Sequence, residues 1–309
     1  MYQFAVIGCG AVARKHAEQI GRTGRLAAVC DIVPEKADAF AVEYGARPWY
    51  SIDELLEGEK EIDVVVVCTP NGCHAEHCIK ALQARRHVLC ESPLCLTGAA
   101  AWQMIETEKY CGRRLFVVHA AAGNPALADV KQLVKENGGE QLFHFDLDCI
   151  GQPPALGEWR ATAFPGGGAL HAHFAGEMDM VSYLFGAIEE AVADASAVGI
   201  RGAGSEVGER GSVNVRMKNG VKGRIQWWLQ EDGKKKSRLE LSSFEQPVWA
   251  EDTGKFTGDA DSYYEVYRQF VGEIEKNTGP SDSLFAGTRT VEAIEKIYQA
   301  LSSNTPSST

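Results

Sequence analysis

Short apolar runs alternate with longer amphipathic stretches through the first 120 residues. The runs at 3–8, 26–31, 62–68, 87–91 and 115–119 are continuously apolar, most plainly in Ile62-Asp63-Val64-Val65-Val66-Val67-Cys68. Strands covered on both faces show continuous apolar character, whereas strands with one wet face alternate. Helical patterns lie between them at 11–22, 34–44, 52–57, 72–84 and 97–111. Pro34 stands at the start of one of these, where its missing N–H is tolerated. Strands and helices in this alternation predict βαβ units and a parallel sheet.

After a further helical stretch at 124–137 the pattern changes to alternating runs at 141–148, 212–217 and 224–229. Alternation buries one face and leaves the other wet, which predicts an open mixed or antiparallel sheet. Helical patterns at 261–276 and 283–301 then close the chain, ahead of a polar tail at 302–309. The expected organisation is therefore α/β then α+β: a doubly wound parallel sheet over 1–120, then an open-sheet domain over 121–309 that includes the closing helices. Adjacent strand residues such as Trp227 and Trp228 point to opposite faces, so at least one of them needs cover. A second copy of the chain is expected to supply it, as a homodimer or homotetramer.

Composition narrows the partners. Lys and Arg total 31 against 42 Asp and Glu, a formal charge of −11 that repels phosphate backbones and anionic lipid. Neither nucleic acid nor a membrane surface is expected. No apolar run approaches the roughly 18 residues of a membrane span, and Met1-Tyr2-Gln3-Phe4 opens nothing like a secretion signal. The nine cysteines are odd in number and form no C-x-x-C pairs, so they read as small buried hydrophobes in a reducing, cytoplasmic compartment. No metal site is expected.

The chemistry begins at Gly8-Cys9-Gly10-Ala11-Val12-Ala13, a G-x-G-x-x-A turn after the first strand and at the head of a helix. Gly8 permits the tight turn, Gly10 lets backbone approach a diphosphate, and Ala13 lets helix pack closely on strand. With Ala11 and Val12 at the helix tip, free N–H groups and the helix dipole face the anion. Asp31 ends the second strand 21 residues after Gly10, where a carboxylate can accept both ribose hydroxyls of an adenosine. A ribose phosphate would meet that negative charge, and Ile32-Val33-Pro34 offers no arginine, so NAD is favoured over NADP. The alternative use of Asp31 is to cap the following helix.

Cys68-Thr69-Pro70-Asn71-Gly72-Cys73-His74 and His87-Val88-Leu89-Cys90-Glu91-Ser92-Pro93-Leu94 resemble the Gfo/Idh/MocA oxidoreductase family. The resemblance continues through Asn124-Pro125, Glu158-Trp159-Arg160, Gly166-Gly167-Gly168-Ala169-Leu170, and Asp179 with Tyr183-Leu184-Phe185-Gly186. It implies an NAD(P)-binding Rossmann domain followed by a mixed-sheet substrate domain, with members acting on nucleotide-linked sugars the most similar. It also implies that Thr69, Pro70, Asn71 and His74 border the cofactor, that Glu91 and Ser92 approach the nicotinamide, and that Trp159 and Arg160 belong to the same site. The plainer alternatives are a helix-start His74 satisfied by backbone and a core Trp159.

Three positions depart from the family. Ser92 of Glu91-Ser92-Pro93 stands where the family usually has the lysine of Glu-Lys-Pro, and Ala172 and Gly176 stand where many relatives carry an Asp and a His. The residues before Asn124, His119-Ala120-Ala121-Ala122-Gly123, are also less polar than in sugar-nucleotide relatives. Taking a hydride from a hydroxyl carbon requires an acceptor for the hydroxyl proton, typically worth about 10²–10⁴-fold in rate. Replacement candidates are His173, Glu177, His171 and His119, with Ser92 at the substituted position. His173 and Glu177 are four apart and would meet on a continuous helix. The alternative packs His173 beside the second sheet and leaves Glu177 solvated or ion-paired. His119, Asn124 and Asp179 are candidate substrate contacts, although Asp179 suits a structural hydrogen bond equally well.

Two functions follow. One is an NAD-dependent oxidoreductase acting on a sugar or nucleotide-linked sugar. The other is a member that binds NAD(P) without turnover, as a sensor or as a partner subunit.

Overall fold

The computed structural model describes residues 1–119, 125–137, 143–155, 158–194, 210–230, 235–243, 246–253, 260–276 and 281–303. The chain forms two compact units, Met1–Gly123 with Gly258–Thr288, and Asn124–Thr257 with Arg289–Thr309.

The first unit carries six parallel strands: β1 (Tyr2–Ile7), β2 (Gly24–Cys30), β3 (Arg47–Trp49), β4 (Val64–Val67), β5 (His87–Cys90) and β6 (Leu115–Val117). Their helical connections are α1 (Ala11–Thr23), α2 (Pro34–Tyr44), α3 (Ile52–Gly58), α4 (His74–Gln83) and α5 (Gly98–Cys111). The order β3-β2-β1-β4-β5-β6 makes this a Rossmann sheet whose direction of winding reverses between β1 and β4. Val64 to Val67 are all fully buried, as helices on both faces require. Each such valine contributes about 1.5–3 kcal/mol of burial. The short strand β3 was not predicted, because three residues that include Pro48 carry no periodicity.

In the second unit, β7 (Phe143–Gly151), β8 (Ile188–Ala193), β9 (Arg210–Met217), β10 (Lys222–Leu229), β11 (Lys236–Ser243) and β12 (Gln246–Asp252) form a sheet ordered β12-β11-β7-β10-β9-β8. Only β7 and β10 run parallel, so the sheet is mixed. Its helices are α6 (Pro125–Asn137), α7 (Ala169–Ala172) and α8 (Ala175–Phe185). The expected alternation is present. Phe145, Leu147 and Cys149 of β7 and Ile225, Trp227 and Leu229 of β10 are buried, with Phe185 of α8 stacked 4.4 Å from Phe145. Asp146, Asp148, Arg224, Gln226 and Trp228 take the half-buried opposite face, where Arg224 meets Asp146 at 2.8 Å. Trp227 thus finds cover inside its own unit.

Two helices close the chain, α9 (Ala260–Lys276) and α10 (Asp282–Ser303). Both were expected with the second domain. Instead α9 packs on α1, with Tyr267 and Phe270 fully buried and Phe270 5.8 Å from Phe116. Among the described residues no helix is long and apolar enough to cross a membrane.

Candidate active site and cofactor cradle

The glycine turn lies where the sheet reverses, at the carboxyl ends of β1 and β4. Gly8 has φ +91°, and a Cβ there would sit 2.6 Å from the carbonyl oxygen of Cys68, so no side chain fits. Gly10 differs. Its φ is −83°, and a Cβ would meet nothing within 4 Å. Nothing in the described protein demands a glycine there, whereas backbone approach by a bulky anion does. Gly10 caps the 13-residue α1 without a side-chain hydrogen bond, and the first turn holds no acidic residue, so its N–H groups keep their capacity for an anion. Ala13 is fully buried, as the closely packed position requires, while Ala11 is exposed and Val12 half-buried.

Asp31 stands beside this turn. Its Oδ2 accepts the Cys9 N–H at 2.9 Å and its Oδ1 accepts the Val33 N–H at 2.9 Å, which ties the glycine turn to the loop before α2. Each carboxylate oxygen keeps a further lone pair for a ribose hydroxyl. Ile32 is 87% exposed directly after it, an apolar surface that an adenine ring would cover. Turn, helix tip, carboxylate and apolar shelf together fit an adenine dinucleotide.

The exits of β4 and β5 form the next stretch of the same edge. Thr69 shares a 3.0 Å hydrogen bond with His77, and Asn71 is buried in one turn of 3-10 helix over Asn71–Cys73, after half-buried Pro70. His74 opens α4 and reaches the carbonyls of Thr69 and Pro93, so the backbone satisfies it. Glu91 is held on both carboxylate oxygens by its own unit. Its Oε1 accepts Tyr263 Oη–H at 2.8 Å and meets His16 Nε2 at 2.9 Å, and its Oε2 accepts the Ser92 N–H at 3.0 Å. These bonds hold the Glu91 pKa below its usual value although burial pushes it up. His16 in turn bonds Tyr267 Oη at 2.9 Å. Glu91 is thus a buried anchor for the Ser92 turn. His16, Tyr263 and Tyr267 were missed, although a histidine within the apolar face of α1 signals a buried partner. His119, 7% exposed just beyond β6, donates from Nε2 to the Ser283 carbonyl at 2.7 Å.

In the second unit the expected pairing of His173 with Glu177 fails. The helix breaks between α7 and α8, with φ −122° at His173 and −124° at Phe174. Phe174 is fully buried against Gly151, where a Cβ would come within 3.0 Å of the ring. Glu177, 2% exposed, accepts Ser237 Oγ–H at 2.9 Å and meets Lys235 Nζ at 3.3 Å. Among the described residues Glu177 Oε2 and His173 Nε2 have no hydrogen-bond partner. Burial, reinforced by Arg160 and Lys235, pulls the His173 pKa down to about 4. His171 is likewise held near 4 by burial, with Nδ1 bonded to the Gly167 carbonyl at 2.7 Å. Asp179 accepts Thr290 Oγ1–H at 3.2 Å and ties α8 to α10. Arg160 lies 4.4 Å over the half-buried Trp159 ring. Asn124 lies outside the described residues. Lys235 and Ser237 carried no sequence signal, since only the fold sets the lysine just before β11 beside Glu177. No group of three His, Cys, Asp or Glu among the described residues suits a metal ion.

Comparison with known proteins agrees with this construction. Residues 2–119 match the family described as "Oxidoreductase family, NAD-binding Rossmann fold", and residues 127–243 match the "GFO/IDH/MocA C-terminal domain". An uncharacterized oxidoreductase of Streptococcus pneumoniae is 28% identical over 195 residues, 62% of this chain and 52% of that protein. The D-glucoside 3-dehydrogenase of Escherichia coli is 41% identical over 115 residues, 36% of this chain and 32% of that protein. The matches thus span about half or less of these relatives' length. The WlbA dehydrogenase of Bordetella pertussis, solved with NADH and UDP-GlcNAcA, shares the fold with a TM-score of 0.84 at 21% identity, over 98% of this chain and 97% of that one. With both halves matched in order, the chain belongs to the GFO/IDH/MocA oxidoreductase family.

Proposed function

We propose that the protein is an NAD-dependent oxidoreductase that moves a hydride between the nicotinamide and a hydroxyl-bearing carbon of a sugar or nucleotide-linked sugar. The observation that carries this reading is Gly10, where the described protein leaves open space at the tip of α1 that a diphosphate would fill, beside an Asp31 carboxylate with lone pairs to spare for a ribose. Relatives named as D-glucoside 3-dehydrogenase, glucose-6-phosphate 3-dehydrogenase and inositol 2-dehydrogenase support a polyol substrate. When bound, the nicotinamide supplies the hydride acceptor or donor.

The chain's own residues must then handle the hydroxyl proton. In the second unit His173 is neutral at physiological pH and presents an unpartnered Nε2. The positive field of Arg160 and Lys235 that depresses its pKa would also favour a hydroxyl oxygen gaining negative charge. Glu177 and Ser237 position Lys235 rather than act on substrate. His171 is spent on the backbone and is not the acceptor in this reading. Ser92 and His119 remain candidates for hydrogen bonds to substrate hydroxyls. The half-buried Trp228, beside Ile150 on the wet sheet face, supports self-association there as a dimer or tetramer, which sedimentation would reveal.

The test is absorbance of reduced nicotinamide in a panel of free sugars, anhydrosugars, inositols and UDP-sugars. Turnover with at least one, reduced about 10²-fold or more in His173→Ala, is the expected result. Tight NAD binding without turnover on any member would overturn the enzyme reading and leave a non-catalytic binder.

A further inference from the structure

His74 is 1% exposed, and both its ring nitrogens face main-chain carbonyls. Nδ1 lies 2.8 Å from the Pro93 oxygen and Nε2 lies 2.7 Å from the Thr69 oxygen. A carbonyl oxygen can only accept, whereas a neutral imidazole has one donor nitrogen and one acceptor nitrogen. In the neutral ring one of these two short contacts would set lone pair against lone pair. Only the imidazolium, with an N–H on each side, satisfies both.

The two carbonyls belong to the segments that leave β4 and β5, at the edge of the sheet where open α/β proteins bind ligands. We propose that His74 is held as an imidazolium whose two N–H groups clasp the β4 and β5 exits together, making it a positioning residue for the dinucleotide cradle. This role rests on the cofactor reading above.

The charge sits at the start of α4, where the helix dipole disfavours a cation, and no carboxylate pairs with it among the described residues. Two charge-assisted hydrogen bonds therefore carry it. The titratable groups facing it are Cys90 of β5, kept a thiol by burial, and His77 on its own helix, which burial holds below its usual pKa. Glu76 on that helix acts on His77 and pairs with Lys80. Burial opposes the charge on His74, while hydrogen bonding with the neutral Cys90 thiol and with the Pro93 and Thr69 carbonyls favours it, and the pKa is raised to about 9. The group is raised above its unfolded value of 6.5, so its stabilising effect is complete below that pH and is lost as the pH climbs through about 9.

The experiment uses the full chain labelled with 15N at histidine, with the His74 ring signals assigned by their loss in His74→Gln. Both ring nitrogens are expected to be protonated at neutral pH without cofactor and to titrate near pH 9. NAD affinity of the wild type should fall about tenfold, about 1.4 kcal/mol, across that titration. His74→Gln should bind about tenfold weaker at neutral pH and change little across the same window. An unprotonated ring nitrogen at neutral pH overturns the imidazolium, and a level wild-type affinity through pH 9 overturns the clasp. If His74→Gln does not fold, the wild-type ring signals and the wild-type pH profile still decide both points. Failure of NAD to bind at any pH would strike the cofactor reading and the clasp's role in binding, whereas the ring signals report the charge independently.

Discussion

Glu91 in the first unit and Glu177 in the second are both buried carboxylates, and they are treated in opposite ways. Glu91 meets Tyr263, His16 and the Ser92 N–H, so both of its oxygens are engaged. Glu177 meets Ser237 and Lys235 through one oxygen and leaves the other unpartnered, in the same unit as His173 Nε2 and Trp227 Nε1, which also lack partners among the described residues. A satisfied network rigidifies, whereas an unsatisfied one keeps capacity for an incoming group. The contrast is one of completion: Glu91 is fully engaged by residues of its own unit, whereas Glu177 Oε2 still has a hydrogen bond to make.

The largest effect should separate two glycines in one turn. Gly8→Ala meets both a positive φ and the Cys68 backbone and should cost on the order of 3 kcal/mol in urea denaturation. Gly10→Val enters open space, so stability should hold while NAD affinity falls by about 100-fold or more. Equal stability loss in both would show that Gly10 serves packing instead.

Next in size is the contrast between the carboxylates. Tyr263→Phe removes a donor from a buried charge and should cost about 1.5–3 kcal/mol. Glu177→Gln neutralises a charge that lacks part of its hydrogen bonding and should cost under about 1 kcal/mol, while lowering kcat through Lys235. If the second costs as much as the first, the two sites do not differ as described.

The pH response should be opposite in sign at the two ends of the scale. His171 and His173 are held near pKa 4, so the unfolded chain takes up protons below about 6.5 that the folded second unit refuses. Stability should therefore decline as the pH falls from about 6.5 toward 4, by at most about 1.4 kcal/mol per pH unit for each group. His87 of β5, also lowered to about 4 by burial, adds the same sign from the first unit. Hydrogen exchange resolved along the chain should show this acid loosening around α7 and α8, and an alkaline loosening around the β4 and β5 exits. A uniform response would contradict the assignment.

Much of this was legible in the chain because the signals were local. Continuous apolar runs announced five of the six parallel strands, and the spacing of Gly8, Gly10, Ala13 and Asp31 announced the turn from β1 into α1 and the carboxylate beside it. What escaped was set by contacts distant in sequence. The break between α7 and α8 depends on Phe174 packing at Gly151, and no helical rule over Ala169–Ala172 and beyond anticipates it. The membership of α9 in the first unit depends on Tyr263 and Tyr267 reaching Glu91 and His16 across some 170 to 250 residues of chain. Lys235 acquires meaning only once β11 has been laid beside β7.

Calorimetric titration of the full chain with NAD and with NADP tests the central claim most directly. NAD should bind with measurable heat, and NADP at least about tenfold more weakly because its ribose phosphate meets Asp31. No heat from either dinucleotide, oxidised or reduced, would contradict the cradle that Gly8, Gly10 and Asp31 are described as forming.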